Sequence, residues 1–239
     1  MTRDVFGWAL RDRLDGRGDG WLTVERDDGF TDRHPVDLYF RETLQPLESA
    51  LLDGVTGHVL DIGCGAGRAL LAAEAAGLSA TGIDLSPGAV EVARRRGACD
   101  VRRLDVMKDP WPDDLTDLGA VLLFGHNIGI GGDPEGAVRL LSRAAGRLSP
   151  GGAVLLTSID VVLTTTPEHL AYHARNRAAG RLPGEIRIRL RHGALTGDWH
   201  PWIHLSPAEL SGIAARAGLV LADVRESGQG SYAARLGPG

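Results

Sequence analysis

Gly63, Gly65 and Gly67 come at every second position after Asp61, in the run Asp61-Ile62-Gly63-Cys64-Gly65-Ala66-Gly67. Glycines in a turn between a strand and a helix let backbone approach a ligand closely and turn the helix's first N–H groups toward it. A dinucleotide fingerprint would also need Gly or Ala three residues after its second glycine. That position is Arg68, which argues against a nicotinamide oxidoreductase. Two further carboxylates stand at strand-like ends. Asp84 lies 23 residues after Asp61, suited to accept both hydroxyl protons of a ribose. Asp105 ends the next apolar run, placed to accept from an adenine amino group. One aspartate at a strand end is common in turns. Three of them, at the carboxyl ends of three successive strands beside an open glycine turn, describe a site for one adenosine-bearing cation.

A second group of residues offers reactive chemistry. Leu123-Phe124-Gly125-His126-Asn127-Ile128-Gly129 ends another apolar run, and His126 has the ordinary pKa of a general base for a hydroxyl or an amine. The other reading is that His126 and Asn127 brace the ligand or its loop, and the residues leave both open. Ile186-Arg187-Ile188-Arg189-Leu190-Arg191 alternates strictly, so Arg187, Arg189 and Arg191 share one face. That face either binds an acidic substrate or is the solvated side of an edge hairpin. Downstream, alternation puts His200, Trp202 and His204 on one side and Trp199 on the other, an arrangement read as aromatic packing over a pocket. Tyr39 and Arg41 are further pocket candidates. The run Arg94-Arg95-Arg96 closes a helical segment, where cations complement the helix dipole.

The elements that must carry these residues follow one rhythm. Short apolar runs at 58–62, 80–84, 101–104, 120–124 and 153–157 read as strands. Helical segments at 68–76, 87–96 and 134–148 separate them, with Pro87 at a first-turn position and Gly77 as a stop. A last helix at 207–217 and strands at 219–224 and 231–236 close the sheet's edge. Two segments stand outside this pattern. Residues 1–50 carry Trp8, Trp21, Phe30, Tyr39 and Phe40, so they pack against the core as an N-terminal cap segment rather than trail from it. Residues 159–205 insert a helix at 167–179 and a hairpin, 185–191 with 197–204, turning through His192-Gly193. The remainder, 51–239, forms one α/β domain.

Composition narrows the partners. The chain has 239 residues, enough to bury one full α/β core, and its formal net charge of -5 speaks against life on a nucleic-acid backbone. Cys64 and Cys99 provide neither a disulfide framework nor metal-ligand spacing, so no metal is expected and a reducing, cytoplasmic setting is. The longest apolar stretch, residues 153–163, is broken by Asp160 and is too short to span a bilayer.

Val59-Leu60-Asp61-Ile62-Gly63-Cys64-Gly65-Ala66-Gly67-Arg68 resembles motif I of class I S-adenosylmethionine-dependent methyltransferases. Gly82-Ile83-Asp84-Leu85-Ser86 is similar to their ribose-binding segment, and Leu104-Asp105-Val106 to their adenine-side motif. Arg147-Leu148-Ser149-Pro150-Gly151-Gly152 resembles the turn before their fifth strand. The resemblance covers residues 55–158 firmly. It implies a three-layer Rossmann-like fold, with a seven-stranded, mostly parallel sheet whose last strand is antiparallel. It also implies S-adenosylmethionine as cofactor, with Asp61, Gly63, Cys64, Gly65, Asp84, Leu85, Asp105, Val106 and Phe124 around it and the end of strand four facing the methyl donor. The family's Asn/Asp-Pro-Pro-Tyr signature for amide and adenine acceptors is absent, which argues against an exocyclic nucleobase amine; the expected acceptor is a small molecule. A protein of this fold that binds the cofactor without transferring a methyl group, or one acting on RNA or protein, are the alternatives.

Overall fold

The computed structural model describes residues 4–239. The chain opens with α1 (Val5–Leu14), whose N-cap Asp4 accepts from the Gly7 N–H at 3.0 Å. β1 (Trp21–Arg26) and β2 (Thr31–Pro35) follow as an antiparallel pair, then a 3-10 turn over Val36–Phe40 and α2 (Pro46–Leu52). The central alternation runs β3 (His58–Ile62), α3 (Arg68–Ala75), β4 (Ser79–Asp84), α4 (Pro87–Arg95), β5 (Val101–Arg103), β6 (Leu118–Leu123), α5 (Pro134–Ala145) and β7 (Leu148–Ile159). After β7 come α6 (Pro167–Ala178), β8 (Glu185–His192), β9 (Leu195–Thr196) and β10 (His200–Ile203). The chain ends with α7 (Pro207–Arg216), β11 (Leu219–Glu226) and β12 (Ser231–Pro238).

Helix starts have a common local cause. At α4, α5 and α7 the side chains of Ser86, Asp133 and Ser206 accept from an orphan N–H of the first turn, and each is followed by a proline whose missing donor costs nothing there. The α5 helix stops at Ala145, three residues earlier than periodicity suggests. Gly146 forms its C-cap, and Leu148 already pairs with Leu118 as the first residue of β7.

The large sheet has the order β11-β12-β7-β6-β3-β4-β5 and is parallel except for β12, which runs against both its neighbours. This is the expected seven-stranded, mostly parallel sheet with its last strand antiparallel. Residues alternate between its two faces. Leu60, Ile62, Val121, Leu123, Val154 and Leu156 pack on one side with Leu140, Leu141, Leu210 and Ile213 of α5 and α7. Val59, Ala120, Leu122, Ala153 and Leu155 pack on the other with Ala69, Leu70 and Ala73 of α3. The strand order reverses between β3 and β6, and in open α/β sheets ligands bind at the carboxyl ends beside that reversal.

The residues outside the rhythm build a second, small sheet together. Its order is β10-β8-β1-β2, with β9 folded back on β8. Thr23 pairs with Arg191 and Arg26 with Ile188, so the N-terminal strands and the inserted hairpin share one ladder. Sequence reading foresaw the hairpin but only packing, not strands, for the N-terminal segment. The hairpin's second arm is also split: Arg191 pairs with Thr196 in β9, and pairing resumes only at His200 in β10. Among the described residues no helix is long and apolar enough to cross a membrane.

Candidate functional site

The glycine turn leaves β3 at Ile62 and enters α3 at Arg68. Gly63, Gly65 and Gly67 all hold positive φ (71°, 56° and 80°), a region that penalises any Cβ. At Gly63 the requirement is doubled, because a Cβ there would lie 2.6 Å from Asn127 Nδ2. The turn is tied to the next strand by the Gly63 and Cys64 N–H groups, which donate to Ile83 O at 2.8 and 3.1 Å. Cys64 is buried, and burial pushes its thiol well above the usual range, so it is an inert packing residue in this structure.

Asp61 is 2% exposed, and its Oδ2 has no partner. Desolvation pushes its pKa up to about 7, with Arg68 opposing and Asp84 and Glu48 adding to the rise. Arg68 does not pair with it. That guanidinium is committed to buried Glu48 of α2, donating to Oε2 at 2.5 Å and Oε1 at 2.7 Å. The residue that breaks the dinucleotide pattern is therefore a structural anchor, and it leaves a buried carboxylate beside the glycines with unused acceptor capacity.

Asp84, also buried, accepts from the Gly65 N–H at 2.9 Å and the Ser86 N–H at 2.8 Å. Burial raises its pKa to about 6, against the lowering effect of these two bonds. A carboxylate with four acceptor sites keeps room for two ribose hydroxyls beyond them. Leu85 next to it is 57% exposed. Asp105 is partly buried; its Oδ1 accepts from the Met107 N–H at 3.1 Å and its Oδ2 sits 3.1 Å from Lys108 Nζ. Val106 and Phe124 are buried apolar residues, and Val106 O accepts from Trp111 Nε1 at 3.1 Å.

The end of β6 supplies the other wall. Asn127 donates from Nδ2 to Ile62 O at 2.7 Å and Gly63 O at 3.0 Å, which gives it a bracing place on the glycine turn. His126 has φ 68°, a left-handed conformation seldom taken by a non-glycine residue. Its Nδ1 is buried without a partner, and burial holds its pKa below the ordinary value, with Glu48 opposing and His34 of β2 adding to the fall. Its ring lies edge-to-face with that of His204, centroids 5.8 Å apart. His204 Nδ1 is likewise buried and unpartnered; burial, and then His126, lowers its pKa to about 3.

The small sheet brings His204 there. β10 crosses the 3-10 turn over Asn127–Gly131, where a side chain at Gly129 would overlap the Trp202 indole. A Cβ on Gly132 would lie 2.9 Å from Pro201 Cγ. At the opposite side Phe6 of α1 covers the turn, 3.5 Å from where a Gly65 Cβ would stand, and Tyr39 packs edge-on against Phe6 at 5.1 Å. His200 is half-buried, its Nδ1 3.3 Å from Asp198 O and its ring 6.4 Å from that of Trp202. Arg41 and Arg187 are exposed. The arginine stripe is partly neutralised, because Arg189 pairs twice with Glu25 and stacks on Trp199, and Arg191 reaches the same Glu25 at 3.6 Å.

Three contributors escaped sequence reading. Phe6 and Glu48 lie far from the motif in the chain. Arg96 donates to Ala66 O at 2.6 Å, Phe40 O at 3.1 Å and Tyr39 O at 3.4 Å, pinning the N-terminal segment onto the glycine turn. Its place at a helix end, which read as dipole complement, offers no hint of this.

The fold is that of a doubly wound α/β protein, with the glycine turn and the buried carboxylates Asp61 and Asp84 beside its topological switch point. Residues 59–152 match the family model described as a methyltransferase domain. A SAM-dependent methyltransferase from Bacteroides fragilis, solved with S-adenosyl-L-homocysteine, is 28% identical and superposes with a TM-score of 0.83 over 99% of this chain and 98% of that one. The CcbJ methyltransferase from Streptomyces caelestis shares the fold, with TM-score 0.59 at 14% identity over 84% of this chain and 95% of that one. A ribosomal protein L11 methyltransferase from Geobacter metallireducens is 32% identical over 146 residues, which are 59% of this chain and 44% of that protein. The chain thus spans about half the length of the curated relatives it matches. Residues 59–152 thus match a methyltransferase domain, and the chain as a whole shares the fold of an S-adenosylmethionine-dependent methyltransferase.

Proposed function

We propose that this protein transfers a methyl group from S-adenosylmethionine to a small-molecule acceptor held between the glycine turn and the small sheet. The observation that carries the reading is the set of buried, unpartnered polar atoms at the carboxyl ends of β3 and β6, Asp61 Oδ2 and His126 Nδ1, with His204 Nδ1 on the ring against His126. Natural proteins rarely leave such atoms unsatisfied without a ligand to meet them. Asp61 and the Gly63–Cys64–Gly65 backbone would hold the methionine portion, Asp84 the ribose, and Leu85, Asp105, Val106 and Phe124 the adenine. Bound there, the sulfonium supplies an electrophilic methyl group. His126 would take the acceptor's proton, and Asn127 would keep the turn open.

The N-terminal segment (residues 1–50) and the insertion (159–205) act in this reading as a substrate cap. Methyl transfer from a sulfonium disperses charge, so a water-poor site with aligned reactants supplies much of the acceleration. Tyr39 and His200 would line the cap side, with Arg41 and Arg187 at its rim. The net charge of -5 favours a small molecule over RNA. The names of the L11-modifying relatives favour a protein acceptor as the second reading.

Formation of S-adenosylhomocysteine with a panel of small acceptors and purified ribosomal protein L11 decides between these. Turnover with the small molecules alone is expected. Turnover with L11 alone would replace the reading, and tight cofactor binding with no acceptor-dependent product would reduce the chain to a cofactor-binding scaffold. Asp84→Ala should abolish S-adenosylmethionine binding by calorimetry; unchanged affinity would refute the ribose placement.

A further inference from the structure

We infer that His126 and His204 form a two-imidazole recognition site for a neutral hydroxyl group of the acceptor, with His204 delivered by the inserted strand. The inference rests on the methyl-transfer reading above and gives the acceptor its chemistry.

The two rings come from different parts of the chain. His126 lies three residues past β6 of the large sheet in a left-handed conformation, and His204 directly follows β10 of the small sheet. Their edge-to-face contact at 5.8 Å lies beside the place where the Trp202 indole packs against Gly129. Each ring keeps a buried Nδ1 with no partner, although a ring nitrogen in an interior normally finds a hydrogen-bond partner. No carboxylate or carbonyl orients either ring, unlike His192, whose two nitrogens meet Trp21 O at 2.9 Å and Asp12 Oδ2 at 3.0 Å. Among the described residues no group of three or more His, Cys, Asp or Glu side chains is placed to hold a metal ion.

Charge then selects the acceptor. The titratable and charged groups acting on His126 are Glu48 of α2, His34 of β2 and His204, and the one acting on His204 is His126. Glu48 is consumed by Arg68. Burial keeps both imidazoles neutral at neutral pH, so the pair presents acceptor lone pairs without a negative charge. An ammonium group would enter with its charge uncompensated. A hydroxyl enters neutral and gives its hydrogen to a ring nitrogen. As the acceptor oxygen forms its bond to the methyl carbon, the carbon–sulfur bond breaks with its electron pair remaining on sulfur, and the hydroxyl proton passes to the imidazole. The weakly basic rings suit an acidic hydroxyl, the phenolic class above all.

The test uses the intact protein saturated with S-adenosylhomocysteine and catechol as probe. In spectra of protein labelled with 15N-histidine, catechol should move the ring signals of His126 and His204 and leave those of His192 and His58 in place. His204→Leu should bind S-adenosylhomocysteine normally yet lose the catechol response. In turnover with a panel of phenols, kcat/KM of the same variant should fall about 10²–10⁴-fold, with His204→Gln recovering KM but not kcat. A catechol titration that moves neither ring, or phenol methylation by His204→Leu within about threefold of wild type, would overturn the hydroxyl site while leaving the methyl-transfer reading intact. Failure of the parent protein to bind S-adenosylhomocysteine would instead overturn that reading.

Discussion

Asp61 and Gly63 sit two residues apart and carry opposite burdens. The carboxylate is buried without a partner, and its pKa rises from 3.8 to about 7. A carboxyl whose pKa is higher folded than unfolded holds its proton more firmly in the folded state. Stability therefore falls as pH rises from near 4 to about 7, and stays low above that. Asp61→Asn should remove most of this penalty, which is on the order of 4 kcal/mol at pH 8. The melting temperature of the unliganded variant should exceed that of the parent by roughly 2–4 °C per kcal/mol recovered, and the gap should shrink at pH 5. Calorimetry should show weaker S-adenosylmethionine binding by the same variant, the trade of stability for function common at such sites. The histidine pair titrates in the other direction. With pKa values depressed below 6.5, His126 and His204 lose stability as pH falls from about 6.5 toward 3. For Gly63→Ala, the left-handed backbone alone costs about 1–2 kcal/mol. The new methyl would also displace the Asn127 amide, so thermal stability and cofactor affinity should drop together.

At the scale of elements, two polar side chains pin segments that hydrophobic packing alone leaves adjustable. Asn176 of α6 is fully buried and donates from Nδ2 to Leu182 O, Pro183 O and Glu185 O at 3.2, 3.1 and 2.6 Å. It fixes the approach of β8. Asn176→Ala leaves these carbonyls unmet and should cost about 1–3 kcal/mol in denaturant unfolding. Arg96→Ala releases the carbonyls of Ala66, Tyr39 and Phe40 and should weaken S-adenosylhomocysteine binding as well as stability, and Arg96→Lys should restore only part, because one ammonium cannot span the same three acceptors. The elements of the large sheet were legible because they combine apolar runs with capped, proline-started helices, as at Ser86-Pro87 and Ser206-Pro207. β2 was not. Its residues Thr31-Asp32-Arg33-His34-Pro35 are polar, largely exposed and end in proline, so no alternation marks them. Their strand character comes from pairing with β1. In the site, the glycines and the carboxylates announced themselves through spacing, whereas Glu48, Arg96 and Phe6 depend on contacts between distant segments. His204 was visible only as part of an aromatic alternation, and its neighbour His126 lies 78 positions earlier in the chain.

For the molecule as a whole, the proposed function puts the cofactor on the large sheet and the acceptor beneath the small one. The two functions should therefore separate under mutation. β1 lies in the middle of the small sheet, pairing Thr23 with Arg33 on one side and Arg191 on the other. Thr23→Pro removes a ladder donor and disturbs this sheet without touching the glycine turn. Transfer to acceptor should fall sharply while S-adenosylhomocysteine affinity changes little, a split readable by comparing turnover with calorimetry. Equal loss of both would mean that the small sheet supports the cofactor site too. The shared ladder also sets a timetable for the chain's own synthesis. β1 emerges from the ribosome well before its partner β8, since Thr23 must wait for Arg191, so an unpaired strand edge persists while strands β3 to β7 of the large sheet are made. Completion of the small sheet is then a late, long-range event in folding, and the window before it is when this protein is most prone to aggregate.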